Sequence, residues 1–273
     1  MHDITDPAKL KAAATYNAAA DHFDNGPLAF WDKCGRATVE RLRLRPGATV
    51  LDVGCGSGAS AIPAAEIVGP RGRVVGVDLA DRLLELARAK AASRKLANVE
   101  FHQGDMTALG FPDGSFDAVV CVFAIFFVPD MVSQVRELWR MVRPGGQLAI
   151  TTWGPRMFEP GSAAWWNAVR QHRPDLVSVY NPWERIVTPE AVAKLLADSG
   201  IAGAEVVAES GRQALGSPDE WWDVVCGSGY RWTVDQMDPA TAGRVKEANL
   251  AAVRAARMSS IETNVIYARA IKP

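Results

Sequence analysis

Val50-Leu51-Asp52-Val53-Gly54-Cys55-Gly56-Ser57-Gly58 runs from an apolar strand into a turn with glycine at three alternate positions. A plain tight turn needs one glycine, whereas alternating glycines let backbone approach a ligand with no Cβ between them. The stretch reads as strand, ligand loop and helix start, and its ligand as nucleotide-like. Gly54-x-Gly56-x-x-Ala59, with Asp78 about twenty residues beyond, also satisfies the dinucleotide pattern. Taken alone, the loop does not separate NAD from S-adenosylmethionine.

Outward from that loop, short apolar runs at 49–53, 73–78, 99–104, 116–122 and 147–153 alternate with helical stretches, the rhythm of a parallel sheet covered on both faces. Leu83, Leu86, Ala87 and Lys90 recur at three- and four-residue steps, one stripe of a surface helix. Pro129 opens a helix that closes through Leu138 to Arg143, and Pro144-Gly145-Gly146 makes the turn into the strand at 147. Thr188-Pro189-Glu190 caps a further helix that Gly200 ends, followed by a strand at 204–208. Alternating Ile261, Thr263, Val265 and Tyr267 mark a last strand over 261–271, antiparallel and inserted in the sheet. No repeat or linker divides the chain, so residues 1–273 read as one domain. Segments 1–46, 154–187 and 211–257 hold most of the nine tryptophans. The first reads as a helical lid, the other two as insertions forming a substrate cap.

Composition narrows the function. The 273 residues are 48% hydrophobic and 22% charged, with 30 Lys plus Arg against 31 Asp plus Glu, so electrostatic capture of nucleic acid or of an anionic membrane is not expected. No stretch approaches the roughly 20 apolar residues of a membrane span, and the first residues carry neither a basic nor an apolar targeting region. Cys34, Cys55, Cys121 and Cys226 are scattered without a C-x-x-C pair. That spacing argues against disulfides and a zinc site and fits a reducing cytoplasm. No metal is expected.

Three acids tip the choice of ligand. Asp52 precedes the first glycine by two residues, where a carboxylate can anchor an ammonium, directly or through water, and would repel a pyrophosphate. Asp78 ends the second strand, placed to accept from both ribose hydroxyls while Leu79 packs on adenine. Gly104-Asp105-Met106 ends the third, with Asp105 placed to accept from the adenine amino group beside Met106.

The segment from about 49 to 153 resembles a class I S-adenosylmethionine-dependent methyltransferase of the ubiquinone/menaquinone-biosynthesis type. The glycine loop, Gly76-Val77-Asp78, Gly104-Asp105-Met106, Phe111-Pro112-Asp113-Gly114-Ser115-Phe116-Asp117 and Leu138-Trp139-Arg140-Met141-Val142-Arg143-Pro144-Gly145-Gly146 follow one another in the family's order. The resemblance implies a Rossmann-like α/β fold with a seven-stranded, mostly parallel sheet, helices on both faces and the last strand antiparallel. It implies S-adenosyl-L-methionine as cofactor, with Asp52, Gly54, Cys55, Gly56, Asp78, Leu79, Gly104, Asp105, Met106 and Cys121 around it. An aromatic from an N-terminal helix often closes over the cofactor in such enzymes, and Tyr16 within Tyr16-Asn17-Ala18-Ala19-Ala20-Asp21-His22-Phe23-Asp24 is placed to do so.

Relatives acting on amines or nucleic acids often carry Asn or Asp, Pro-Pro and an aromatic after the fourth strand. This chain has Cys121-Val122-Phe123-Ala124-Ile125-Phe126-Phe127-Val128-Pro129-Asp130 instead. The substrate then reads as an apolar small molecule of phenol, quinone, polyketide or prenyl type, methylated on oxygen or carbon, with Phe126, Phe127 and Trp153 at the strand ends to hold it. Trp165, Trp166, Trp183, Trp221, Trp222 and Trp232 lie on segments over the same sheet edge. Proximity supplies much of the catalysis of such a transfer, so no dedicated nucleophile is required. Candidate bases are His22, His172 and Tyr16, with Tyr180 and Tyr230 equally open; His102 reads as structural and His2 as frayed. An arsenite site would need Cys34 and Cys226 to converge with Cys121, and free buried thiols are the better reading. An NAD-dependent oxidoreductase and a non-methylating S-adenosylmethionine-binding protein stay as alternatives, and the oligomeric state is not legible.

Overall fold

Strand residues alternate between two apolar cores, as period-two pleating requires. In the computed structural model, which describes residues 6–177 and 181–273, Val50, Val74, Ala118 and Val120 enter one core with Val39, Leu42, Ile62 and Leu84. Leu51, Val53, Val75 and Val119 enter the other with Val135, Leu138 and Leu195. The strands are β1 (Thr49–Val53), β2 (Arg73–Asp78), β3 (Val99–Gln103), β4 (Phe116–Val122), β5 (Val142–Trp153), β6 (Glu205–Glu209), β7 (Arg212–Ala214), β8 (Ser260–Glu262) and β9 (Val265–Ile271). Seven of them form one sheet in the order β3-β2-β1-β4-β5-β9-β6, and β9 alone runs antiparallel to its neighbours. The order turns back between β1 and β4, the place where open α/β sheets bind ligands.

The helices are α1 (Pro7–Phe23), α2 (Phe30–Leu42), α3 (Ala61–Val68), α4 (Asp81–Ser93), α5 (Met131–Met141), α6 (Gly161–His172), α7 (Pro189–Asp198), α8 (Trp221–Cys226), α9 (Arg231–Asp235) and α10 (Pro239–Ala255). Helices α2, α3 and α4 cover one face of the sheet; α5 and α7 cover the other. Polar side chains fix several starts: Asp6 Oδ1 accepts from Ala8 N at 2.8 Å, Thr188 Oγ1 from Ala191 N at 3.2 Å and Asp238 Oδ1 from Thr241 N at 3.0 Å, each ahead of a proline in the first turn. No helix among the described residues is long and apolar enough to cross a membrane.

Four details differ from the sequence reading. The strand expected over 261–271 is two strands: β8 pairs with β7 in a small separate sheet, and β9 enters the main one. Asn264 makes the corner, its Oδ1 accepting from Gly211 N at 3.1 Å and its Nδ2 donating to Pro155 O at 2.9 Å. Alternation of side chains does not show such a break. Strand β5 begins at Val142 rather than 147, because Val142 already pairs with Phe116 before residues 143–146 bulge out and Gln147 pairs with Ala118. Asp130, not Pro129, caps α5, accepting from Ser133 N at 3.0 Å. Finally, 1–46 is not all lid. Helix α2 buries Cys34, Val39 and Leu42 against the sheet and brings only its first turn, with Trp31, to the strand ends that α1 crosses.

Candidate active site

Two chambers open at the carboxyl ends of the strands. The first encloses about 890 Å³ with its open mouth and is lined by the glycine loop, Asp78, Leu79, Gly104 and Met106 from the ends of β1 to β3, and Tyr16 from α1. The loop is made for close approach: Gly54, Gly56 and Gly58 have φ of 71°, 51° and 87°. A Cβ on Gly54 would stand 2.3 Å from Ala124 Cβ. Gly54→Ala is therefore expected to lose roughly 1–3 kcal/mol of stability through overlap and a left-handed backbone. A urea midpoint equal to that of the parent would contradict it.

Among the described residues Asp78 is the one acid of the lining, and no Arg or Lys of the lining pairs with it. Asp78 accepts from Gly56 N and Ala80 N, both at 2.8 Å, so it shapes the loop it faces. Burial nevertheless pushes its carboxyl above the usual range. Asp52 lies 1% exposed beneath the loop, and Ser60 Oγ, which lines the chamber, donates to its Oδ2 at 2.7 Å. Asp52 Oδ1 has no partner. Burial, with Asp78 adding repulsion, pushes the Asp52 carboxyl up to about 7 against the help of Ser60. Burial holds the Tyr16 and Cys55 protons more tightly than usual, with Asp78 adding to both and Asp52 to Cys55. An orphaned buried carboxylate oxygen beside a groove that Asp78 lines fits a ligand that carries positive charge.

Three residues expected around that ligand do not line this chamber. Cys121 is completely buried, and Val122, Phe123 and Ala124 reach the groove from β4 in its place, because the strand end rather than its interior meets the cavity. Asp52 acts from below through Ser60. Asp105 is turned aside: its Oδ2 accepts from Lys9 Nζ at 2.6 Å and its Oδ1 from Thr107 N and Oγ1, both at 2.8 Å. Burial alone would raise its carboxyl, but these bonds hold it below the usual range.

The second chamber, about 1500 Å³ with its mouth, is walled by Phe126, Phe127 and Trp153 as the sequence suggested. From the lid segments, Met157, Phe158, Trp166, Trp183, Tyr230 and Trp232 join them. Trp165 and Trp221 are instead fully buried, with Trp221 Nε1 donating to Asn249 Oδ1 at 2.9 Å, and Trp222 packs under Lys246. These three knit the lids to the core. Tyr16, Trp31, Phe123 and Phe127 line both chambers. Trp31 and Phe123 were missed at the sequence level. Phe123 stacks on Trp153 with centroids 4.0 Å apart, and its φ of 53° turns the chain into the junction. A backbone reversal inside an apolar run leaves no sequence signal.

The candidate bases fare differently. His22 Nδ1 sits 2.9 Å from Asp223 Oδ1 where α1 meets α8, and neither His22 nor His172 lines a chamber. His102 is exposed beside Glu100 on β3. Tyr16 stands at the junction and Tyr230 in the second chamber, whereas His2 and Tyr180 lie outside the described residues. All four cysteines are buried and free. Among the described residues no group of three His, Cys, Asp or Glu side chains is gathered to hold a metal.

A family model described as a methyltransferase domain matches residues 50–146, the span from β1 to the bulge of β5 that builds the first chamber. That match takes in about a third of the chain. Its glycine loop and acids are the motifs that resembled the class I enzymes. A demethylmenaquinone methyltransferase of Listeria monocytogenes serotype 4a is 41% identical over 117 residues, 43% of this chain and 49% of that protein. A nocamycin O-methyltransferase of Saccharothrix syringae is 37% identical over 136 residues, 50% of this chain and 49% of that one. The chain thus matches about half the length of these curated relatives. The YcgJ protein of Bacillus subtilis shares the fold, with a TM-score of 0.58 at 20% identity over 88% of this chain and 98% of that one. The matched span supplies most of the first chamber's lining and α1 and α2 the rest, while the walls that residues 154–187 and 211–257 give the second chamber lie outside that span.

Proposed function

We propose that the chain binds S-adenosylmethionine in the first chamber and directs its methyl group to an oxygen or carbon of an apolar small molecule in the second. The observation that carries this reading is the shared wall: ligands in the two chambers would meet at Tyr16, Trp31, Phe123 and Phe127. Gly54, Gly56, Asp78, Leu79 and Met106 would hold the nucleoside, and Ser60 backed by Asp52 the cationic amino-acid end. The bound cofactor supplies an electrophilic methyl group on sulfur. The chain's own part is to orient, exclude water and hold the acceptor close, which can supply roughly 7–11 kcal/mol of the barrier. One relative is named for demethylmenaquinone and another for O-methylation of nocamycin, which supports a small-molecule acceptor of phenol, quinone, polyketide or prenyl type. In this reading segments 154–187 and 211–257 are the substrate cap. The comparisons lend the NAD reading no support.

Phe126, 4% exposed in the short helical turn that follows β4, lines the second chamber and not the first. Phe126→Ala should raise KM for the acceptor about tenfold and leave that for S-adenosylmethionine unchanged. A panel of phenols, quinones, prenyl compounds and amines assayed with labelled cofactor tests both claims. Turnover of polar amines alone would overturn the acceptor class. Cofactor binding with no labelled product from any of them would favour a non-methylating binding protein.

A further inference from the structure

The second chamber has a charge pattern as distinct as its aromatic walls. Among the described residues its lining contains no Asp, Glu, His or Arg, and one charged side chain, Lys11 of α1. The Lys11 ammonium lies 4.7 Å from the centre of the Trp232 ring at the rim, and no carboxylate among the described residues pairs with it within ion-pair distance. Two phenols line the chamber, beside the hydroxyls of Thr15, Ser228 and Thr233. Tyr230 donates to Ser162 Oγ at 2.9 Å, and a Cβ on Gly229 would stand 3.8 Å from the Tyr16 hydroxyl. Burial makes both phenols harder to ionise, and the Tyr230 proton is committed to Ser162, so neither phenol takes up a proton and Tyr16 is the phenolic donor left for a ligand. The lining therefore offers a cation and hydroxyl donors, and nothing that takes up a proton.

We propose that the second chamber takes an organic acid, a carboxylic acid or an enol or phenol acidic enough to arrive ionised, drawn in past Lys11 with its apolar body among Phe126, Trp153 and Trp183. The inference rests on the second chamber being the acceptor site, as proposed above. Methyl transfer from a sulfonium to an oxygen anion breaks the carbon–sulfur bond with its electron pair left on sulfur. It forms the carbon–oxygen bond from an oxygen lone pair. One positive charge cancels one negative and no proton is released, so a chamber without a base suffices. An acceptor that enters as a neutral alcohol must shed a proton for which the lining holds no receiver. An aromatic enclosure also favours a step in which two charges vanish, because solvation of neither has to be replaced.

Calorimetry on the full chain saturated with S-adenosylhomocysteine, using 2-naphthoate, 2-naphthol and 2-naphthylmethylammonium as probes of one shape and three charges, tests this. The expected order is naphthoate tightest and the ammonium compound weakest. Lys11→Gln should weaken naphthoate about fivefold, the scale of one exposed charge pair, and leave 2-naphthol unchanged. Lys11 is exposed, so this variant folds as the parent does. Equal affinity for the three probes, or naphthoate binding that ignores Lys11→Gln, would overturn the organic-acid assignment and leave the acceptor chamber standing. No binding of any naphthalene would remove the acceptor chamber itself, and the proposed function with it.

Discussion

Asp52→Asn is expected to grow steadily more stable relative to the parent as pH rises from near 4 to about 8, the gap widening by at most about 4 kcal/mol. Burial raises the Asp52 carboxyl from 3.8 to about 7 in the folded chain, with Asp78 adding to it. Below pH 4 the carboxyl is protonated folded or unfolded and contributes nothing to pH dependence. Between about 4 and 7 the unfolded chain ionises it freely while the folded chain resists, so folding loses stability over that window and the full loss persists above it. A shift of about three units at about 1.4 kcal/mol each sets the upper bound of about 4 kcal/mol. The amide Nδ2, standing where Oδ1 now has no partner, adds a constant cost of about 1–3 kcal/mol that moves the whole curve without changing its slope. Urea unfolding at a series of pH values reads the slope directly. Parallel curves for parent and variant would show that Asp52 is not held protonated by burial. If Asp52 supports the ammonium through Ser60 as proposed above, the same variant should also bind S-adenosylmethionine more weakly.

Asp78→Ala is expected to weaken S-adenosylmethionine binding by about a hundredfold or more. Each Asp78 oxygen already accepts one backbone N–H, from Gly56 and from Ala80. A carboxylate oxygen has two lone pairs, so each keeps one for a ribose hydroxyl. Hydrogen bonds to a charged group contribute about 1.5–3 kcal/mol each, and the substitution also frees the Gly56 N–H that sets the loop. Calorimetry should show the loss in affinity for cofactor and for its demethylated product alike. Asp78→Asn, which keeps one acceptor oxygen, should fall between. A tenfold effect or less from the alanine variant would place the ribose elsewhere.

The first chamber was largely legible because its parts are short-range. Glycines at 54 and 56, Asp78 and Leu79, and Gly104 and Met106 sit at strand ends, and a strand end fixes its residues in space once the parallel sheet is recognised. Asp105 shows where that logic stops. Its position at the end of β3 is local, but its carboxylate is claimed by Lys9, 96 residues earlier in the chain, and by Thr107. Cys121 fails for a related reason: being on the right strand does not decide which residue emerges at its end.

In the second chamber the sequence established the stock of aromatics and the likeness of Phe126, Phe127 and Trp153 to wall residues. It could not rank the lid tryptophans, because Trp165 and Trp166 are neighbours of one type and only Trp166 faces the chamber. What the sequence by itself determined is what local spacing encodes: the order of strands and helices, the glycine loop, and the acids at strand ends. Which side chains of α1, of 154–187 and of 211–257 meet over the sheet, the isolation of Lys11 among them and the burial of Asp52 without a second partner were decided only by the tertiary structure. Those facts depend on packing between segments up to two hundred residues apart, and no periodicity along the chain records that packing.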